Sequence, residues 1–185
     1  MPRQRMTPFV LALALALPAA ATATTYAAPA PVHAAVQASA FVGTYTLNAH
    51  ASDNVSTAIN NAASHVMFLI RGIARSRLRA TNVAYQRVSI AEQGNDFAIQ
   101  FDQRHPIHSP TSGANVPWTR EDGEKMQVST RVAEGRLVQT FTPEDGRRVN
   151  TYTLSPDGKT LTMDVVVTSP KLPQALHYRL VYDRV

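Results

Sequence analysis

His105 and His108 form an H-x-x-H pair with Asp102 just upstream. Two imidazoles at that spacing share a metal only where the backbone turns them together, and Pro106 disfavours helix at His105. No third donor stands at a telling distance, so the spacing selects no metal. Glu121, Asp122 and Glu124 cluster around Gly123. Paired carboxylates can pass protons, yet the same letters, EDGE, spell a hairpin turn. The chain has no G-x-S-x-G, no phosphate-cradling glycine loop and no nucleophile at catalytic spacing from a base. It contains no cysteine, which excludes disulfides, thiolate metal sites and a lipid-anchoring thiol. Nothing calls for a cofactor. Asp164 and Arg131 are titratable groups within strand patterns, and alternation turns both toward solvent. Enzymatic chemistry is left open, because barrel active sites assemble from distant strands.

The chemistry that remains is electrostatic. In SHVMFLIRGIARSRLRATN, residues 64–82, an apolar run passes into Arg71, Arg75, Arg77 and Arg79. Positive charge in the last turns of a helix complements its dipole, and a basic stripe also suits an anionic partner. If the apolar face docks inward, Arg71, Arg75 and Arg79 form a stripe toward water, an anionic ligand at a portal, or an anionic membrane surface.

The elements that must position these groups are mostly strands. Residues 1–23 carry Arg3 and Arg5, an apolar core and small residues ending at Ala23. This predicts a secretory signal peptide, too short to span a membrane, and a periplasmic or secreted protein. Export and the local nature of the charge argue against nucleic acid as a partner. Residues 24–39 are rich in alanine and proline and predict a flexible leader, which leaves residues 40–185 as one domain.

Within that domain FVGTYTLNA alternates as a first strand. It stops at HASDN, where Ser52 or Asp53 can cap a helix. Val55, Ile59, Ala62, Val66, Leu69 or Ile70, Ile73 and Leu78 then recur at helical spacing, predicting a helical segment over residues 52–80. Gly72 admits either one long helix or two that meet there. Burial of Ile73 and its neighbours would seat this segment on the strands. From Gln86 onward eight strand patterns follow, separated by QGND, EDGE, AEG, PEDG and SPDGK. A tenth strand can lie between Asp102 and Asn115, inside a proline-containing stretch (103–117) that otherwise predicts a loop. The fold class is mainly β, an antiparallel up-and-down barrel of eight to ten strands with a helical lid between the first and second.

Gly43-Thr44-Tyr45 on the first strand, the meander and the terminal basic residue resemble the calycin group of lipocalins and fatty-acid-binding proteins. The helical segment between the first two strands is similar to the lid of the fatty-acid-binding branch. The resemblance implies a small lipophilic and acidic ligand inside the barrel, reached through a portal at Ile73, Arg71, Arg75 and Arg79. The implied ligand contacts are Tyr152, Met163, Tyr178 and Tyr182, joined by Phe68 of the lid. In the resembling branch arginine and tyrosine stand two apart as R-x-Y on the last strand. HYRLVYDRV instead offers Arg179 with Tyr182 on opposite faces and Tyr182 with Arg184 in reversed order. Arg184 is expected to stack on Tyr45 and close the barrel base, as a terminal arginine does in lipocalins. A filled barrel acting through its surface in the cell envelope is the alternative. Oligomeric state is not indicated.

Overall fold

The computed structural model describes residues 37–185. The expected signal peptide and most of the expected leader lie outside this range. A 3-10 turn at Ala38–Phe41 begins inside the expected leader, with Ala38 packed on the core and Phe41 fully buried. Ten strands follow, β1 (Gly43–Leu47), β2 (Arg87–Gln93), β3 (Asp96–Phe101), β4 (Ile107–Pro110), β5 (Val116–Thr119), β6 (Lys125–Ala133), β7 (Arg136–Thr142), β8 (Arg147–Leu154), β9 (Thr160–Ser169) and β10 (Leu172–Arg184). Two helices, α1 (Val55–Ser64) and α2 (Phe68–Thr81), lie between β1 and β2. All pairings are antiparallel, in the order β4-β3-β2-β1-β10-β9-β8-β7-β6-β5.

Each strand carries its apolar residues at alternate positions, which puts them on one face of the sheet. On β10 Leu176, Tyr178, Leu180 and Tyr182 are fully buried, while Gln174, Ala175, His177 and Arg179 are exposed. On β9 Leu161, Met163 and Val165 do the same. β4 is the tenth strand, formed inside the proline-bearing stretch because Ile107 and Ser109 point inward while His108 points out. Pro106 precedes the strand and Pro110 ends it, so neither costs a ladder bond within it. The two ends of the sheet meet without full pairing. Ser112 bridges Arg131, and the buried Ser109 and Thr130 hydroxyls lie 2.6 Å apart. The barrel is therefore nearly closed, with a seam at β4, β5 and β6.

The helical segment differs from expectation in three respects. Asn54 is the cap of α1, its Oδ1 accepting from Thr57 N at 3.0 Å. Ser52 and Asp53 instead tie the approach to β10, accepting from Val181 N and Arg179 N at 2.8 and 2.7 Å. The break falls at His65–Met67, where Val66 N bonds back to Ala63, and not at Gly72. A Cβ at Gly72 would meet nothing within 4 Å, so glycine is tolerated there on an open helix surface. Third, the apolar face of α1 is seated, while α2 packs on the core through Leu78 near its end. Ile59, Ala62, Ala63 and Val66 are buried and Leu78 is half-buried, but Met67, Phe68, Leu69, Ile70 and Ile73 are exposed. The turn at His65–Met67 rotates α2, so that over its first turns the arginines and not the apolar residues reach back. Arg71 Nε and Nη2 donate to the Val66 carbonyl at 3.2 and 3.1 Å, and Arg79 donates to Asn60 Oδ1 of α1 at 3.3 Å. Ile73 thus makes no seal on the barrel, and the outward arginine stripe is partly spent on α1.

At the opposite end Arg184 and Tyr45 meet. The guanidinium lies 5.1 Å from the Tyr45 ring centre and donates to Tyr45 Oη at 2.5 Å and to the Ala40 carbonyl at 2.9 Å. Tyr45 Oη in turn donates to the Phe41 carbonyl at 2.8 Å. A Cβ on Gly43 would meet Arg184 Nε at an ordinary contact distance of 3.4 Å, so glycine answers there to its φ of 156° and not to space. Removing one partner from a cluster that satisfies buried carbonyls costs about 1 to 3 kcal/mol. We expect Arg184→Ala and Tyr45→Phe each to lower the urea midpoint. The double variant should lose less than the two effects added, a coupling read from the double-mutant cycle. Additive losses would show that the two side chains act independently.

Candidate functional site

The cavity with the most apolar lining among the described residues opens at the end of the barrel where α2 finishes, with a volume of about 360 Å³. Its walls come from turns that close antiparallel pairs at that end. The β3–β4 turn brings Arg104 and His105, the β5–β6 turn Arg120, Glu121 and Glu124, and the β7–β8 turn Pro143, Asp145 and Gly146. Gly146 is required by close approach, since a Cβ there would lie 2.7 Å from the Thr168 carbonyl oxygen of β9. Lys171 and Asp145 pair across the same rim.

Inside the rim the lining is aromatic. Tyr85 and Phe101 stack with ring centres 4.9 Å apart, and Trp118 meets Phe141 edge-on at 6.0 Å. Ile107, Met126 and Val167 complete the apolar walls. Four arginines ring this surface, and two of them are paired with carboxylates. Arg104 bonds Glu121 at 3.0 Å and lies 5.1 Å from the Tyr85 ring centre. Arg120 bonds Asp122 and Glu124, each at 2.6 Å. The hydrogen bond from Arg120 holds the Asp122 carboxyl down at about 2, and the same bond raises the Arg120 guanidinium. The acidic cluster of the EDGE turn is therefore spent on Arg120 and Arg104. His105 lines the cavity while His108 faces outward from β4, so the two imidazoles diverge.

Below the cavity a chain of polar side chains runs into the barrel. Arg148 Nε donates to Asn150 Oδ1 at 2.9 Å, Asn150 Nδ2 donates to Tyr152 Oη at 3.3 Å, and Tyr152 Oη donates to Gln139 Oε1 at 3.0 Å. Asn150, Tyr152 and Gln139 are buried. A second branch joins Tyr178 Oη, which donates to Asn82 Oδ1 at 3.2 Å. Two buried donors, Gln139 Nε2 and Tyr182 Oη, have no partner among the described residues. Burial raises the tyrosine hydroxyls of Tyr152, Tyr178 and Tyr182, because the phenolate cannot be solvated there.

The expected ligand contacts thus separate into two groups. Tyr152, Met163, Tyr178 and Tyr182 all point into the barrel and are fully buried, beneath the cavity rather than in its wall. Phe68 lies on the outer side of α2, 74% exposed and remote from the cavity lining, because the break before α2 turns it away. The portal residues Arg71, Arg75, Arg79 and Ile73 likewise stand outside the cavity wall. Tyr85, Phe101, Trp118, Phe141 and Arg148 make the cavity and were not singled out by sequence. The signal for Arg148 existed, since it shares the strand parity of Tyr152.

No protein-family model and no curated protein matches the chain. Solved structures do. Caenorhabditis elegans lipid binding protein 8 superposes with a TM-score of 0.52 at 14% identity, over 81% of this chain and 99% of that one. Echinococcus granulosus fatty-acid-binding protein 1 gives 0.51 at 10% identity, over 80% and 98%. At these identities the likeness concerns the fold alone, an antiparallel barrel with two helices between its first two strands.

The buried tyrosines set a pH dependence. A group whose ionisation is raised on folding binds more protons in the folded than in the unfolded chain above the ordinary tyrosine value of 10.0. Stability is then unaffected below that value and falls as pH climbs above it. Ultraviolet titration should show Tyr152, Tyr178 and Tyr182 un-ionised above the ordinary tyrosine range, with their ionisation coinciding with unfolding. Full titration of the native chain near pH 10 would contradict their burial.

Proposed function

We propose that this protein is an exported carrier that holds a compact lipophilic molecule with an acidic head group in the mouth cavity and exchanges it at an anionic membrane surface. The cavity carries this reading. At about 360 Å³ it falls at the low end of small-molecule sites, which run from roughly 300 to 1,000 Å³. Its inner walls are aromatic and aliphatic, and its polar rim carries four arginines against three carboxylates. That composition suits an apolar body with one anionic end. The titles of the similar structures, a fatty-acid-binding and a lipid binding protein, point the same way. The charged, small-residue pattern of residues 1–23 supports export.

The membrane step draws on α2. Met67, Phe68, Leu69, Ile70 and Ile73 form an exposed apolar patch, and Arg77 and Arg79 are exposed on the same short helix. A helix of this kind lies in the headgroup region, and each arginine near an anionic surface contributes about 1 kcal/mol.

Two outcomes are expected. Decanoate should bind the purified protein in a calorimetric titration, and Val167→Trp, which fills the cavity, should abolish binding while the chain still folds. Absence of binding to the parent, or unchanged binding in the filled variant, would sink the carrier reading. The protein should also sediment with phosphatidylglycerol vesicles and not with phosphatidylcholine vesicles, with an affinity that drops as salt screens the arginines. Ile73→Asp should remove this without lowering the melting temperature, because Ile73 is 59% exposed. Vesicle binding that ignores both salt and Ile73→Asp would place the contact elsewhere.

A further inference from the structure

Arg148 is the half-buried cation of the mouth that no carboxylate answers. Arg104 and Arg120 each face a carboxylate, and Arg147, which also lines the mouth, is exposed to solvent. Arg148 donates only to neutral acceptors, from Nε to Asn150 Oδ1 at 2.9 Å, from Nη1 to the Thr81 carbonyl at 2.9 Å and Asn82 Oδ1 at 3.3 Å, and from Nη2 to Tyr178 Oη at 3.3 Å. Among the described residues no carboxylate pairs with it. A guanidinium has five N–H donors, so one on Nη2 is left over in the wall of the cavity. Half-buried charge without a counter-ion is costly, and a fork of parallel N–H groups matches a carboxylate edge to edge.

The interior offers no other such group from the last strand. Arg179 lies outside the barrel, bonded to Asp164 at 2.9 Å, and Arg184 caps the far end. Leu180 and Tyr182 share the buried face, so leucine stands two before the inward tyrosine, where the R-x-Y arrangement would require arginine.

One of Arg148's acceptors matters for motion. Thr81 is the last residue of α2, and its carbonyl is among those a helix end leaves without an internal partner. Asn82, also held by Arg148, caps the same end by donating to the Leu78 carbonyl at 2.9 Å. Arg148 is thus a tie between the final turn of α2 and β8.

We propose that Arg148 is an anion subsite of the mouth cavity that doubles as a latch on α2, so that a carboxylate bound by its fork displaces Thr81 and Asn82 and frees the last turn of the helix. This rests on the carrier reading. Hydrogen bonds between a guanidinium and a charged oxygen are about twice as strong as those to neutral acceptors, so the exchange runs toward the ligand. Loading with an acid then loosens the helix, whereas loading with a neutral molecule of equal length leaves it tied.

Decanoate and decanol, matched in chain length, test this on the parent, R148Q and R148K, by calorimetry and by amide hydrogen exchange over residues 77–82. R148Q should weaken decanoate by about tenfold or more and leave decanol unchanged. In the parent, decanoate and not decanol should speed exchange of the last turn of α2. Equal losses of both ligands in R148Q would overturn the subsite, and exchange indifferent to decanoate would overturn the latch. Should R148Q not fold, R148K decides, since it keeps the charge and gives up the fork. Faster exchange of the α2 terminus in ligand-free R148K is expected, and exchange equal to the parent's overturns the proposal. A parent that binds decanoate while R148Q binds it equally well sinks this inference alone, while a parent that does not bind decanoate sinks the carrier reading beneath it.

Discussion

A sheet of ten antiparallel strands has two edges, and the architecture turns on how they meet. An exposed edge presents unpaired N–H and carbonyl groups to any passing strand. Here the edges fall on β4 and β5, which are four residues each, and they are brought together at β6 by one bridge and one hydroxyl pair. Short strands make the seam weak in backbone pairing. The hydroxyls of Ser109 and Thr130 supply inside the barrel part of what the ladder does not. Closure in turn creates an interior, and every inward side chain is placed by strand alternation once the ring is shut.

That interior is graded. Toward Arg184 it is filled, by Tyr45, Phe41, Leu161, Tyr182 and their neighbours. Toward α2 it is open and aromatic. Between the two lies a polar layer of Gln139, Asn150, Tyr152 and Tyr178, whose hydrogen bonds run up to Arg148. Such a layer costs desolvation and returns it only where partners are complete. The unpaired Gln139 Nε2 and Tyr182 Oη show that completion is partial, at the level where filled core gives way to cavity. The barrel is thus neither a hollow tube nor a solid plug.

Much of this could be read from residues alone. Alternation such as Leu176, Tyr178, Leu180, Tyr182 determines facing without knowledge of the partner strand, and turn letters locate the reversals. The tenth strand was harder, because Pro106 and Pro110 bracket only four residues. The helical segment misled for a physical reason. Periodicity shows that a helix has an apolar side but not what that side meets, and Val66 and Met67 continue the pattern straight through the break. Gly72, the visible irregularity, proved harmless, as nothing packs on it. The cavity was least legible. Its wall gathers residues from three turns and seven strands, such as Trp118 and Phe141, with Tyr85 from the segment after α2, and no local spacing joins them. Arg148 could have been found, since Arg148, Asn150 and Tyr152 alternate in one direction.

The meeting of Tyr45 with Arg184 joins residues 139 apart in sequence. Every other strand pair in the meander except β1 with β2 is a local reversal, cheap in chain entropy and quick to form. The β1–β10 ladder is different, because it cannot hold until the intervening strands have shortened the distance between its halves. Closing that ladder therefore orders the longest loop between any two paired strands of the meander, and carries the largest cost in chain entropy. The cation over the tyrosine ring is the clasp of that long loop.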